Sequence, residues 1–322
     1  MTGELMVGLD IGATKMLGVA AGADGRVRAE VLATTPTGGD EVVGAAAAVV
    51  EELRDATGER LDGTVGVGIP GLVDAARGAV KHAVNLGVEA EWFPIGEQLT
   101  RRTGARVVVE NDVNAAALGA ARVLGHDDLA YLSLGTGLAA AVVQDGRLRR
   151  GAHGAAGEIG HVPVDPSGRR CQCGQIGCLE TFASGSAVAA AWPSADVPPA
   201  LALFDAAAAG DQRAVTVRDE FSARVADAVR LLCLAVDPEY VVLGGGVAQV
   251  GDRLRVAVAQ ALAAQAESSA FLRSLDLPGR VLLAPLEVPV AALGAALLGG
   301  QGPERRSVGV GSRRRSSGPG GW

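Results

Sequence analysis

One pattern is written twice along this chain. Residues 5–9 form an apolar run that fits a strand, and Asp10-Ile11-Gly12-Ala13-Thr14-Lys15 makes a glycine-bearing turn. Residues 16–20 fit a second strand, and Asp24-Gly25 is a hairpin signal. Residues 129–134, Gly135-Thr136-Gly137, residues 138–143 and Asp145-Gly146 run through the same series. Gly12 stands 12 residues before Asp24, and Gly135 stands 10 before Asp145. Such a repeat predicts two like-folded α/β units, and 322 residues suffice for two domains of ordinary size. A cleft between two units is a favoured place for a ligand.

The segments between the repeats carry alternating helix and strand signals. Residues 27–33 fit a third strand. Asp40 is positioned to cap a helix over 41–56, with Gly58 as its stop. Residues 65–69, ending in Pro70-Gly71, and residues 106–109, ending in Glu110-Asn111-Asp112, fit buried strands. The alanine-rich stretch 113–124 predicts a helix with Asp112 at its start. Further helices are expected at 186–191, 200–209, 213–236, 252–268 and 291–298, with strands at 240–243 and 280–283.

Hydrophobic residues make up 48% and charged residues 20%, the balance of a folded globule, and 46 glycines imply tight turns and closely packed helices. No apolar run approaches the roughly 18–20 residues needed to span a membrane. The strand pattern starts at residue 5, which leaves no room for a secretion signal, so a cytoplasmic location is expected. Net charge is −7; residues 301–322 hold five arginines and one Glu, so that tail is +4 and the remainder −11. A body that acidic is a poor nucleic-acid surface. The Gly-, Ser- and Arg-rich tail has the composition of a disordered, solvated extension.

Three of the four cysteines fall within eight residues, in Cys171-x-Cys173-x4-Cys178, with His161 shortly before them. One imidazole and three thiolates are the complement of a closed tetrahedral zinc site, structural rather than catalytic because no position stays open. An odd number of clustered cysteines argues against disulfides in a reducing compartment. Cys233, within Leu231-Leu232-Cys233-Leu234, reads as a buried apolar filler. Glu158 and Glu180 bracket the set.

Three glycine turns stand at strand ends. Asp10-x-Gly12-x-Thr14-Lys15 offers backbone N–H groups that a phosphate can approach closely, and Asp10 could hold Mg²⁺. It is not a Walker loop, and a plain hairpin accounts for it equally. Gly135-Thr136-Gly137 occupies the matching place in the second half, and Gly244-Gly245-Gly246 could let an adenosine lie on bare backbone. Each also reads as a simple tight turn. Glu110-Asn111-Asp112 offers Asp112 either as a helix N-cap or as a general base for an alcohol. The tripeptide alone favours the cap.

Together these motifs resemble the ROK family of bacterial sugar kinases and sugar-responsive repressors. The resemblance runs from about Val7 to Gly299, and its most specific part is Glu158-x-Gly160-His161 followed by Cys171-x-Cys173-Gly174-x-x-Gly177-Cys178-x-Glu180. It implies an α/β fold of two actin-like ATPase (ribonuclease H-like) domains with a cleft between them. These would be a small domain over 1–115 and a large one over 116–300 with a zinc-binding insertion, followed by a disordered basic tail over 301–322. It also implies ATP-dependent phosphorylation of a hexose at its 6-hydroxyl, with Mg²⁺ and structural Zn²⁺. Asp112 would be the base, while Gly71, Asn85, Asn111, Glu158, His161 and Glu180 would hold the sugar. Asp10, Gly12, Thr14 and Lys15, with Gly135, Thr136, Gly137, Gly244, Gly245 and Gly246, would hold the nucleotide. His161 would face zinc with one ring nitrogen and the sugar with the other.

The resemblance makes glucose the default sugar, with N-acetylglucosamine, N-acetylmannosamine, mannose and fructose open, and implies a homo-oligomer. Two departures stand out: Ala13 replaces a usual glycine, and Leu138-Ala139-Ala140-Ala141 replaces a run that is commonly glycine-rich. Each methyl would narrow a phosphate's approach to backbone. Family repressors carry a helix-turn-helix domain ahead of the first phosphate motif, and nine residues before Asp10 are too few for one, so a kinase is expected. A sugar-binding protein without turnover is the competing expectation.

Overall fold

The computed structural model describes residues 5–58, 63–89 and 91–301. The basic tail and its expected disorder lie outside them from residue 302. Strands β1 (Met6–Ile11), β2 (Lys15–Ala21) and β3 (Val27–Thr34) form an antiparallel meander. Helix α1 (Gly39–Thr57) returns the chain to β4 (Thr64–Ile69), which lies parallel to β1. A small hairpin, β5 (Leu72–Asp74) with β6 (Ala79–Lys81), and helix α2 (Ile95–Thr103) precede β7 (Arg106–Asn111), parallel to β4. The sheet order is β3-β2-β1-β4-β7.

Helix α3 (Asp112–Leu124) then leads into the second copy: β8 (Leu129–Leu134), β9 (Leu138–Gln144) and β10 (Arg147–Leu148). The cysteine region and helices α4 (Glu180–Ala183), α5 (Gly185–Ala191), α6 (Pro199–Ala208) and α7 (Gln212–Val236) follow. Next come β11 (Tyr240–Gly244), α8 (Asp252–Ala266), α9 (Ala270–Ser274), β12 (Val281–Leu283) and α10 (Val290–Leu297). The second sheet, β10-β9-β8-β11-β12, repeats the first in order and direction, with a meander on one side and parallel strands on the other. The expected repeat is therefore a repeat of topology.

Each sheet has its own core. Leu9, Ile11, Leu53, Val67 and Leu99 fill the first; Leu132, Leu134, Val229, Leu243 and Leu254 fill the second. A third cluster joins Ala117, Ala120, Val242 and Ala295, so α3 and α10 form a small-residue layer linking the two halves. Helix α10 comes from the end of the described chain yet lies against β1, β4 and α3. Here glycine is required by close approach: a Cβ on Gly294 would overlap the Ala115 carbonyl oxygen, and one on Gly119 would overlap that of Val290. The alanine and glycine content thus permits backbone-to-backbone contact, not merely helix propensity.

Local expectations fared unevenly. Gly58 stops α1 in the left-handed conformation, and Asp145 and Gly146 both take positive φ, as an Asp-Gly hairpin requires. Asp40 is not the cap of α1: the cap is Gly38, two residues earlier, the helix starts at Gly39, and Asp40 sits in its first turn, where its charge still favours the helix dipole. Asp112 is not a cap either. Asn111 caps α3, its Oδ1 accepting from the backbone N–H groups of Val113 at 2.9 Å and Asn114 at 3.3 Å, and Asp112 is the first helical residue. Helix α5 likewise begins before Ser186, with Ser184 accepting from the N–H of Ala187. Hairpin β5–β6 and helices α2 and α9 were not anticipated.

Candidate active site

The parallel strands of the first sheet end together. Asp10 is in register with Gly68, Gly68 with Glu110, and Ile69 with Asn111. The loops beyond these ends carry the first glycine turn, Gly71 and Asp112, as expected of a crevice outside the carboxyl ends of parallel strands. Asp10 and Asp112 are close enough to feel each other. Burial pushes the Asp10 carboxyl up to about 6, and the charge of Asp112 adds to the rise. Asp112 is also raised, chiefly by burial and further by Glu158, against a lowering contribution from the Val113 N–H. Two carboxyls pushed up in one crevice are candidates for acid–base work.

Asn111 does two jobs besides standing next to Asp112. Its Oδ1 caps α3, and its Nδ2 donates to the Gly71 carbonyl at 3.2 Å. Beside it opens a cavity of about 320 Å³ lined by Gly71, Trp92, Asn111, Asn114, Arg150 and Glu158 among others. Residues of both sheets' loops therefore meet there. Asn85 does not join them; it is exposed on the one-turn helix Val84–Leu86. Ala139 and Ala140, which replace expected glycines, also line this cavity.

The stretch before the cysteines is seated on β9. A Cβ on Gly157 would overlap the Ala140 carbonyl, and one on Gly160 that of Leu138, so only glycine lets Glu158 and His161 sit this close to the strand. The knot itself is tied by Leu179 N–H to Val162 O at 2.9 Å and Cys171 N–H to Gln175 O at 2.9 Å. His161, Cys171, Cys173 and Cys178 bring one ligand atom each within 4.8 Å of the others. The Cys173 and Cys178 sulfurs are 3.6 Å apart, and Cys171 Sγ lies 3.7 Å from His161 Nδ1. Zinc–sulfur bonds of about 2.3 Å in a tetrahedron need edges of about 3.8 Å, so the donor set fits zinc.

The two carboxylates are part of this arrangement. His161 Nδ1 faces the thiols and lies 3.6 Å from Glu180 Oε1, while Nε2 lies 3.8 Å from Glu158 Oε2. Glu180 Oε2 would sit only 2.9 Å from a Cβ on Gly137. Glu180 thus stands between the knot and the second glycine turn.

That turn is closed by Gly135 N–H to Gly137 O at 3.1 Å; the first is closed by Gly12 N–H to Lys15 O at 3.0 Å, leaving Thr14 and Lys15 exposed. Gly135, Thr136 and Gly246 line one cavity of about 490 Å³ with Gly185, Ser186, Pro198, Val247 and Gln249. Gly244 is covered by Tyr131, and Gly245 takes φ 78°. Two of the three turns therefore share a pocket. Gly185, Ser186, Pro198 and Gln249 also line this pocket, although none belongs to a glycine turn or a ligand motif in the sequence.

Two like α/β lobes, with glycine turns at strand ends and an opening between, define a protein of the actin-like ATPase class. Comparison with known proteins narrows this. The profile of the ROK family matches residues 6–301. A glucokinase of Thermotoga maritima is 35% identical over 274 residues, covering 77% of this chain and 84% of the relative. An N-acetylmannosamine kinase of Yersinia pseudotuberculosis is 33% identical over 256 residues, covering 78% and 87%. A solved ROK family glucokinase from Streptomyces griseus, in complex with glucose and AMPPNP, is 33% identical with a TM-score of 0.75, covering 92% of this chain and 100% of that one. The chain belongs to the ROK family.

Proposed function

We propose that this chain transfers the γ-phosphoryl group of ATP to the 6-hydroxyl of a hexose, with glucose as the first candidate. The observation that carries the reading is the division of labour at residues 111 and 112. Asn111 caps α3, so Asp112 is not needed for capping, and its half-buried carboxyl is raised and close enough to Asp10 for the two charges to oppose each other. A carboxylate with a raised pKa is a better acceptor for the hydroxyl proton as that oxygen attacks phosphorus.

In this reading Asn111, Gly71, Glu158, His161 and Glu180 orient the sugar, while Asn85, exposed on its turn and away from the cavity, takes no part. Asp10 would hold magnesium, directly or through water, and the turns at Gly12 and Gly135 would cradle phosphates. The cavity of Gly135, Thr136 and Gly246 would take the nucleoside side. Zinc at His161, Cys171, Cys173 and Cys178 supplies rigidity rather than reactivity, since four protein donors close its coordination. The working division is an N-terminal lobe over 1–115, with α10 packed on it, and a C-terminal lobe over 116–300.

N-acetylmannosamine is the second candidate, because a relative of that name is about as similar as the glucokinases. An ADP-release assay over glucose, mannose, fructose, N-acetylglucosamine and N-acetylmannosamine tests the reading. Sugar-dependent release is expected with at least one. Sugar binding with no ADP release from any would make the protein a sensor instead.

A further inference from the structure

Arg150 follows β10 in the second sheet, yet its side chain reaches Glu110 at the end of β7 in the first. Nε donates to Glu110 Oε2 at 2.5 Å. Glu110 is 3% exposed, and its Oε1 accepts from the Asn111 N–H at 3.0 Å and from Asn114 Nδ2 at 2.8 Å. Both oxygens of this carboxylate are committed to residues that build one wall of the cavity. Through Asn111 the chain of bonds continues to the Gly71 carbonyl and to the first N–H groups of α3, where Asp112 sits.

On the other side, the Arg150 carbonyl accepts from the Ala156 N–H at 3.3 Å, and the Gly157 carbonyl accepts from Ala140 N–H at 2.8 Å. The stretch from Arg150 to Glu158 is thereby a closed loop pinned at both ends. A buried ion pair is a poor source of net stability, because desolvation offsets most of the attraction. What it supplies is placement, and guanidinium geometry supplies it better than an ammonium does.

We infer that Arg150 is a positioning residue: with Glu110 it ties the loop bearing Glu158 to the strand end bearing Asn111 and Asp112, and so sets sugar affinity. The inference rests on the sugar-kinase reading above. Neither Arg150 nor Glu110 lines the cavity of Gly135, Thr136 and Gly246, so nucleotide affinity is the internal control.

The test is steady-state kinetics and thermal unfolding of the full chain with Arg150→Met, Arg150→Lys and Glu110→Gln, using glucose, N-acetylmannosamine and ATP. Misplacing the loop should raise sugar KM by at least about tenfold in Arg150→Met, with ATP KM within about twofold. Arg150→Lys keeps the charge and should recover only part of the loss. If Arg150→Met does not fold, Arg150→Lys and Glu110→Gln decide: a rise of about threefold or more in sugar KM alone supports the inference. Unchanged sugar KM in folded variants, or sugar and ATP KM rising together, overturns it. A wild-type chain that phosphorylates none of the five sugars of the ADP-release panel removes the kinase reading itself, a result the variants cannot mimic; a chain that phosphorylates another of the five is tested with that sugar in place of glucose.

Discussion

Asp112 and Asp10 show how neighbouring side chains divide their work. Asn111 occupies the capping position, so Asp112→Ala should leave α3 intact while removing the base. Turnover is expected to fall by about 10²–10⁴-fold with sugar binding retained. A variant keeping more than a tenth of wild-type turnover would take the role away from Asp112. Asp10 makes a second, less obvious prediction. Its folded pKa of about 6 lies above the ordinary 3.8 because of burial and then Asp112. Its contribution thus favours the folded state fully only below about pH 4 and is lost as pH climbs through 6. Asp10→Asn should therefore raise Tm at pH 7.5, by an amount on the order of 2–4 °C, and by less at pH 4, while turnover collapses. Differential scanning at the two pH values checks the sign.

Among the larger pieces, the knot and the α3–α10 contact make separate demands. Cys171 and Cys178 are buried, and Cys178 pairs through an isolated bridge with Pro163, so the cysteine knot holds the backbone that presents His161 and Glu180. Cys171→Ser or Cys178→Ser should lower bound zinc below about half an equivalent and weaken sugar binding before nucleotide binding. Titration calorimetry with each ligand decides the order; earlier loss of ATP affinity would mean that the knot serves the other side of the cleft. The α3–α10 contact has no slack. Gly294→Ala would force a methyl into the Ala115 carbonyl, and overpacking of this kind costs about 1–3 kcal/mol or more. Gly300→Ala, which meets nothing within 4 Å, is the control that should change little in a urea melt.

The whole molecule is two topological copies joined by a helix that returns from far along the chain. Because α10 packs on β1 and β4, with Gly8 and Gly66 against its backbone, the first 124 residues alone leave that face of the first sheet uncovered. A fragment ending at residue 124 is expected to show little cooperative unfolding, and one to residue 301 to unfold normally. A cooperative melt of the short fragment would show that α10 is dispensable. This arrangement also bears on closure, since α3 and α10 meet where the two halves join and any rocking of the lobes must bend around that layer.

Much of this was legible beforehand, for local reasons. The twofold pattern of strand, glycine turn and strand depends on short-range alternation, and the thiol spacing carries its own ligand count. Asn111 as cap was not legible, because Asn and Asp are equally good caps and adjacent residues compete for one position. Helix α2 is hard to read because its buried stripe, Ile95, Leu99 and Thr103 at helical spacing, has only two large apolar members and no capping side chain ahead of it. Glu110 was in view as part of a tripeptide, but its partner Arg150 is 40 residues away on the other sheet, and no local pattern pairs them. Periodicity and ligand spacing act along a few residues, and the chain carries them wherever it goes. The pairing across the cleft, the seat of α10 and the choice of Asn111 over Asp112 are outcomes of packing, settled where segments distant in sequence compete for the same space and the same hydrogen bonds.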